Sequence, residues 1–165
     1  MDIQTIFDDI IDKTDPKSNV PVRDVFLCSI SPNIHYALKK YTHFLNPRTY
    51  ISTISIKHAY DRRPSFTKQY IGAIKNIIDD PDYVLRDSDK KGDFIFVKRS
   101  ESNLNKFISC PVQLCIRESG YLCLKCITFF PTKNKSYLQK YPTVWDREGE
   151  LLLHRDTTLA RCVQQ

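Results

Sequence analysis

SCPVQLCIRESGYLCLKCITFF, residues 109–130, is the stretch whose reading decides the fold. Apolar and polar residues alternate on both sides of Glu118-Ser119-Gly120, the pattern of two half-buried strands joined by a short loop. A three-residue loop ending in glycine is a favoured hairpin connection. It sets Arg117 opposite Tyr121, Cys115 opposite Cys123 and Gln113 opposite Lys125. The side chains then separate by face. Val112, Leu114, Ile116, Leu122, Leu124 and Cys126 line an apolar side. Gln113, Arg117, Tyr121 and Lys125, with Cys115 and Cys123, take the other. One side is expected to pack on a core while the other offers cations and a ring to solvent.

Upstream, YVLRD, the polar turn SDKKGD and FIFVKRS form a second hairpin over 83–100, and ESNLNKF reads as a linker. Phe66, Tyr70, Ile74, Ile77 and Ile78 recur at helical spacing, with Ser65 as N-cap and Asp80-Pro81 as the stop. TYISTISIK, residues 49–57, is rich in β-branched residues and reads as a strand or extended segment. A helix is expected from about Asn33 to Phe44, closed by Asn46-Pro47, and VRDVFLCSI (22–30) reads as a strand. Ile3, Ile6, Phe7, Ile10 and Ile11 mark an N-terminal helix that stops before Asp15-Pro16. A last short element is expected at Leu151–Leu153 or Leu159–Val163. The fold class is therefore α+β: a small twisted antiparallel sheet with helices packed on one face. Residues 1–47 form an N-terminal helical segment packing on the core of an α+β domain over 48–165, the two making one compact unit.

The 165 residues are 41% hydrophobic, enough for one domain with a core. Lys and Arg number 25 against 19 Asp and Glu, a net charge of +6. Asp2, Asp8, Asp9, Asp12 and Asp15 make the start acidic, so the body is more basic than the total. A basic body points to a polyanion: nucleic acid first, an anionic membrane second, an acidic protein third. No apolar run reaches the ~18–20 residues of a membrane span. The acidic start lacks the basic region of a secretory signal, so a cytoplasmic protein with no membrane partner is expected. Cys123 and Cys126 sit in a strand and face opposite ways, which argues against zinc and for reduced, mostly buried thiols. Asp79, Asp80 and Asp82 read as turn chemistry around Pro81. The sequence has no HExxH, GxSxG or GxxxxGK[ST], so zinc hydrolysis, a nucleophile elbow and a P-loop lack support. No metal or cofactor is expected.

RNA carries its own nucleophile, the 2′-hydroxyl. Cleavage without metal needs a group to take that proton, one to protonate the leaving 5′-oxygen, and cations on the phosphorane. Histidine, with an ordinary pKa of ~6.5, suits the proton transfers, and Lys or Arg suit the charge. His58-Ala-Tyr-Asp-Arg62-Arg63-Pro64 supplies an imidazole beside guanidinium groups, and Lys98, Arg99 and Lys125 add cations.

ISTISIKHAYDRRPSFTKQYIGAIKNIIDDPDYVLRD (51–87), followed by FIFVKRS and by ITFFPT (127–132), resembles the phage-associated nucleases of the barnase–EndoU–colicin–RelE superfamily over about residues 48–135. The resemblance lies in the order of elements: a His-bearing turn with a further basic residue, a helix leading to a PDxV strand, a lysine-bearing strand, and a long hairpin ending in a hydroxyl–Phe dipeptide. It implies a metal-independent endoribonuclease of toxin or phage-conflict type. Such an enzyme cleaves RNA by 2′-hydroxyl attack to a 2′,3′-cyclic phosphate, on the sheet face away from the helices. Carried over by motif position, His58 is general acid or base, Arg62 and Lys98 are phosphate clamps, and Thr128 is a hydroxyl donor. RNA contacts are expected from Arg63, Arg99, Arg117, Tyr121 and Lys125. The implied partners are RNA, as tRNA or mRNA, and a protein inhibitor or antitoxin. Strand parity puts Thr128 on the Leu124 side, so it reaches a cleft only at a bulge or strand end. Where the family often has a second His, this chain has Arg62 or Arg63, leaving Asp61, Tyr70 or Tyr121 to substitute. The alternatives are a non-catalytic nucleic-acid-binding module or an interaction protein using the same basic sheet face.

Overall fold

A computed structural model describes residues 2–43, 45–87, 93–100, 103–117, 120–133 and 135–148. The last element expected within 151–163 lies outside these. Asp2 accepts a hydrogen bond from the Thr5 amide and starts α1 (Ile3–Ile6), which widens into a π-type turn over Phe7–Ile11. After β1 (Asp24–Ser29), Pro32 opens α2 (Pro32–Lys39), where its missing N–H costs nothing. That helix ends sooner than the spacing implied.

β2 (Leu45–Ser52) then passes directly into α3 (Thr53–Arg62). The β-branched run does not stay extended, because the Ser52 hydroxyl accepts from the Ser55 amide at 3.1 Å and caps the new helix. Ile56 and Ala59 are buried in the core, and that packing outweighs a poor helix propensity. The next helix begins at Pro64 rather than after Ser65, and it breaks into α4 (Pro64–Tyr70), a 3-10 turn (Ile71–Ala73) and α5 (Ile74–Asp79).

β3 (Tyr83–Arg86) and β4 (Phe94–Ser100) form the expected hairpin, with Val84 opposite Phe96. β5 (Asn103–Ile116) absorbs most of the stretch read as a linker. β6 (Leu122–Cys126) pairs with it as read: Gln113 faces Lys125 and Cys115 faces Cys123. The Arg117 amide bonds the Tyr121 carbonyl, and Gly120 takes φ +80°, a conformation that suits glycine. The strand stops at Cys126, and β7 (Phe130–Thr132) follows as a separate piece on β5. α6 (Lys135–Gln139) and β8 (Thr143–Asp146) complete the described chain.

The fold is α+β, and the sheet runs β1-β2-β6-β5-β4-β3-β8, antiparallel except for the parallel pair β2–β6. At ~4.8 Å per strand, β1 and β4 would stand ~19 Å apart in a flat sheet. Short α5 nevertheless touches β1, β4 and β5, and α2 touches both β2 and β8, so the sheet curls around the helices. One apolar cluster fills that curl, with Phe7, Leu38, Ile51, Phe94, Phe96 and Phe129 fully enclosed. A second one, of Leu85, Ile95, Val97, Phe107 and Tyr141, lies on the outer face of β3, β4 and β5, with Leu138 of α6 packed against it. Ile116, assigned to the apolar side, is 73% exposed because the hairpin end runs past the helices. Among the described residues, no helix is long and apolar enough to cross a membrane.

Candidate active site and nucleic-acid face

His58 sits on α3 rather than in a turn. Thr53, Ile56, Lys57 and Ala59 bury one side of that helix, which turns Ile54, His58 and Arg62 to solvent at successive i, i+4 positions. The imidazole and the Arg62 guanidinium are thus neighbours on one exposed stripe. The opposite side is fixed by the N-terminal segment. Buried Lys57 gives its Nζ to the Asp15 carbonyl at 2.9 Å and to the Asp61 carboxylate, which also accepts from the Lys17 amide at 3.2 Å. Tyr60 donates to Asp12 at 2.9 Å and meets Phe7 edge-on. The N-terminal segment therefore docks against α3 through the Asp12 carboxylate and the Asp15 carbonyl. Desolvation alone would raise the Asp61 pKa, but the bonds from Lys57 and Lys17 and the charges of Lys57 and His58 outweigh it and lower the pKa. Asp61 is therefore an ionised structural partner of Lys57.

Arg63, next along the chain, lies over the Phe130 ring at 5.9 Å, which joins the end of α3 to the segment carrying Thr128. Thr128 falls in the break between β6 and β7, half-buried, and its carbonyl receives the Cys126 thiol. The strand end that parity required is present.

Lys98 lies elsewhere. It shares the inner face of β4 with Phe94 and Phe96 and reaches the C-terminus of α5, where its Nζ bonds the Asp80 carbonyl at 2.6 Å and the Asp80 carboxylate at 3.3 Å. A cation is well placed there against the helix dipole. Arg147 grips the same carboxylate, and these bonds hold the Asp80 pKa below the ordinary carboxylate value. Tyr70, Asn76, Lys98 and Arg99 line the adjoining cleft, of about 320 Å³. Arg99, one residue on, points to the outer face. It donates to the Tyr83 hydroxyl at 2.9 Å and lies over the Tyr83 and Phe107 rings at 6.0 and 5.9 Å.

The outer face of β1, β2, β6 and the end of β5 is open and cationic. Arg117 and Lys125 each pair with Asp24 at 3.2 Å, on its two carboxylate oxygens. Arg117 stacks on Tyr50 at 3.8 Å, Tyr50 meets Phe26 edge-on at 5.6 Å, and Arg48 covers Phe26 at 5.0 Å. This lattice of rings and guanidinium groups spans four strands, and Ser52 ends its β2 row while capping α3. Sequence reading named Arg117 and Lys125 but missed Arg48, Tyr50, Phe26 and Asp24. Alternation in β1 does set Asp24 and Phe26 on one face, yet nothing local announces that β2 lies parallel to β6. Tyr121, 61% exposed, lines another cleft with Lys39, His43, Asn46 and Pro47.

Residues 34–135 match the family model described as phage-Barnase-EndoU-ColicinE5/D-RelE like nuclease3. The chain belongs to this nuclease family. Comparisons with curated proteins and with solved structures returned no match. The nuclease segment contains His58, Arg62, Arg63, Lys98, Arg99, Arg117, Tyr121, Lys125 and Thr128. Asp24, Phe26 and the N-terminal helix that seats α3 fall outside it. Among the described residues, no three His, Cys, Asp or Glu side chains gather as a metal-binding group.

Proposed function

We propose that the protein is a metal-independent endoribonuclease of toxin or phage-conflict type, acting on tRNA or mRNA in the cytoplasm and held in check by a protein inhibitor. The 2′-oxygen attacks the adjacent phosphorus, the P–O5′ bond breaks, and the products are a 2′,3′-cyclic phosphate and a 5′-hydroxyl. His58 takes the 2′-proton or delivers one to the 5′-oxygen, since a solvent-facing imidazole offers a ring nitrogen that can accept or donate a proton. Arg62 carries the phosphorane charge, Thr128 donates a hydroxyl hydrogen bond, and Lys98 exchanges Asp80 for phosphate. Arg48, Arg63, Arg117 and Lys125 hold the flanking strand.

The observation that carries this reading is the solvent-facing His58 one helical turn before Arg62, within the segment matched to a nuclease family. Purified protein incubated with total RNA in EDTA is expected to yield fragments with cyclic phosphate ends. His58→Ala should slow cleavage by ~10²–10⁴-fold, the usual worth of one acid–base group. It should leave the melting temperature unchanged, because the ring is exposed. Undiminished cleavage by that variant, or loss of cleavage in EDTA, would overturn the proposal. A second reading, a non-catalytic single-strand binder, is favoured by the cation–aromatic lattice, since bases stack on rings while phosphates meet cations. Salt-sensitive binding with no cleaved product would select it.

A further inference from the structure

The cleft between the ends of β3 and β4 and the 138–143 segment belongs to no part of the proposed chemistry. It encloses about 360 Å³, within the ~300–1,000 Å³ of ligand pockets, and Tyr83, Arg99, Phe107, Gln139 and Tyr141 are among its walls. Its floor is apolar: Phe107 and Tyr141 are nearly buried in the outer cluster with Leu85 and Val97. Its rim is cationic. Arg99 lies over two of the rings, and Lys140 stands 5.4 Å from the Tyr141 ring centre.

Arg99 is unusual in its position. Its amide is fixed by the Asp82 carboxylate at 2.7 Å, and one guanidinium N–H goes to the Tyr83 hydroxyl, so the head is held beside the Tyr83 and Phe107 rings, which are tilted 59° to each other. A guanidinium has five N–H donors and a stacking face. Asp82 and Glu148 are the acidic groups near it. Arg99 also lines the neighbouring cleft that holds Lys98, on the other side of β4. A chain crossing the end of β4 therefore meets two cations first and an aromatic-floored recess next.

We propose that this recess is a nucleobase subsite, taking one base of the RNA strand by packing it against the Tyr83 ring beside the Arg99 guanidinium, with the attached phosphate at Arg99. The proposal rests on the nuclease reading for its substrate class, but it concerns binding alone. A ring with a guanidinium held beside it suits a planar heterocycle with an attached anion, and nucleotides carry both. Gln139 also lines the recess, where its amide would read the edge of the base.

The test is titration of the full chain with each nucleoside 5′-monophosphate, with ribose 5-phosphate and with inorganic phosphate, followed by amide and side-chain NMR shifts. At least one nucleotide is expected to bind about ten-fold or more tightly than ribose 5-phosphate, the worth of one stacked base, with shifts confined to β3, β4 and residues 138–143. Arg99→Lys keeps charge but loses the plane, and should erase that preference while leaving phosphate binding in place; Tyr83→Leu should do the same. Equal affinity for nucleotide and ribose 5-phosphate, or full preference retained in Arg99→Lys, would overturn the subsite. If RNA is cleaved but nucleotides show no preference, the subsite alone fails. If nucleotides bind as described but RNA is not cleaved, the subsite stands and the nuclease reading fails.

Discussion

Asp24→Asn is expected to make RNA binding tighter at low salt and more salt-sensitive, with little effect on folding. Asp24 sits between Arg117 and Lys125, 3.2 Å from each, and each of the three side chains is about one-third exposed. Ion pairs this exposed contribute only ~0–1 kcal/mol to stability, so the fold should survive the exchange. Electrostatically the change is larger. The Asp24 carboxylate now cancels one of the two positive charges of Arg117 and Lys125, and an asparagine would restore it. Each additional single-strand phosphate neutralised steepens the dependence of log K on log salt by ~0.7. One restored charge therefore adds about 0.7 to the slope. Across a four-fold rise in salt, that corresponds to a further ~2.6-fold loss of affinity relative to the wild type. Fluorescence polarisation with an uncleavable single-stranded oligonucleotide, from about 50 to 200 mM salt, reads the slope directly. Arg117→Gln should move it the other way by ~0.7 and also bare the Tyr50 face. Parallel slopes for wild type and Asp24→Asn would refute the assignment of this face to the phosphate chain.

Two further outcomes concern the scaffold. Phe7→Ala should cost about 3–5 kcal/mol, the usual loss for a buried ring, because Phe7 is fully enclosed against Tyr60 in the main core. A loss of less than a third of that, taken from urea unfolding with the slope unchanged, would mean the N-terminal helix is not integral to the fold. Burial pushes the Cys28 thiol up to about 11 from 9.0. Between those values the folded state holds a proton that the unfolded state has released, so stability falls as pH rises above about 9. Cys28→Ala should flatten that alkaline decline, and an identical decline in the variant would disprove the linkage.

The strands were legible wherever one face met solvent and the other a core. The hairpin around Gly120 could be read to the register, because alternation fixes which side each residue takes. The 83–100 hairpin could be read only as two strands and a turn. Two readings failed for a common reason: the local preference was real but overruled from afar. Thr53, Ile54 and Ile56 favour a strand, yet a serine cap and burial of Ile56 make them helical. ESNLNKF is polar, yet from Asn103 onward it is strand on β5 because β4 is there to pair it. The site was half legible. His58 with Arg62 follows from adjacency along the chain. The grouping of Arg48, Phe26 and Tyr50 with Arg117 required the parallel contact of β2 with β6, which joins residues more than seventy positions apart and leaves no short-range trace. Lys98 and Arg99 are consecutive and look like one cationic pair, but on a strand they are divided between faces, one bonded to a helix end and the other laid on two rings.

β5 pairs with β4 along most of its length, with β7 at Phe107–Ser109 and with β6 from Val112 to Ile116. One inserted or deleted residue inside it would rotate every later side chain by half a turn, driving Gln113 into the hydrocarbon interior and Val112 and Leu114 towards water. Descendants of this sequence can therefore change that ribbon only by exchanging residues in place. New binding chemistry can arise at its outward positions without disturbing the packing, two residues at a time along the chain, while gains and losses of length are left to the connections at its ends.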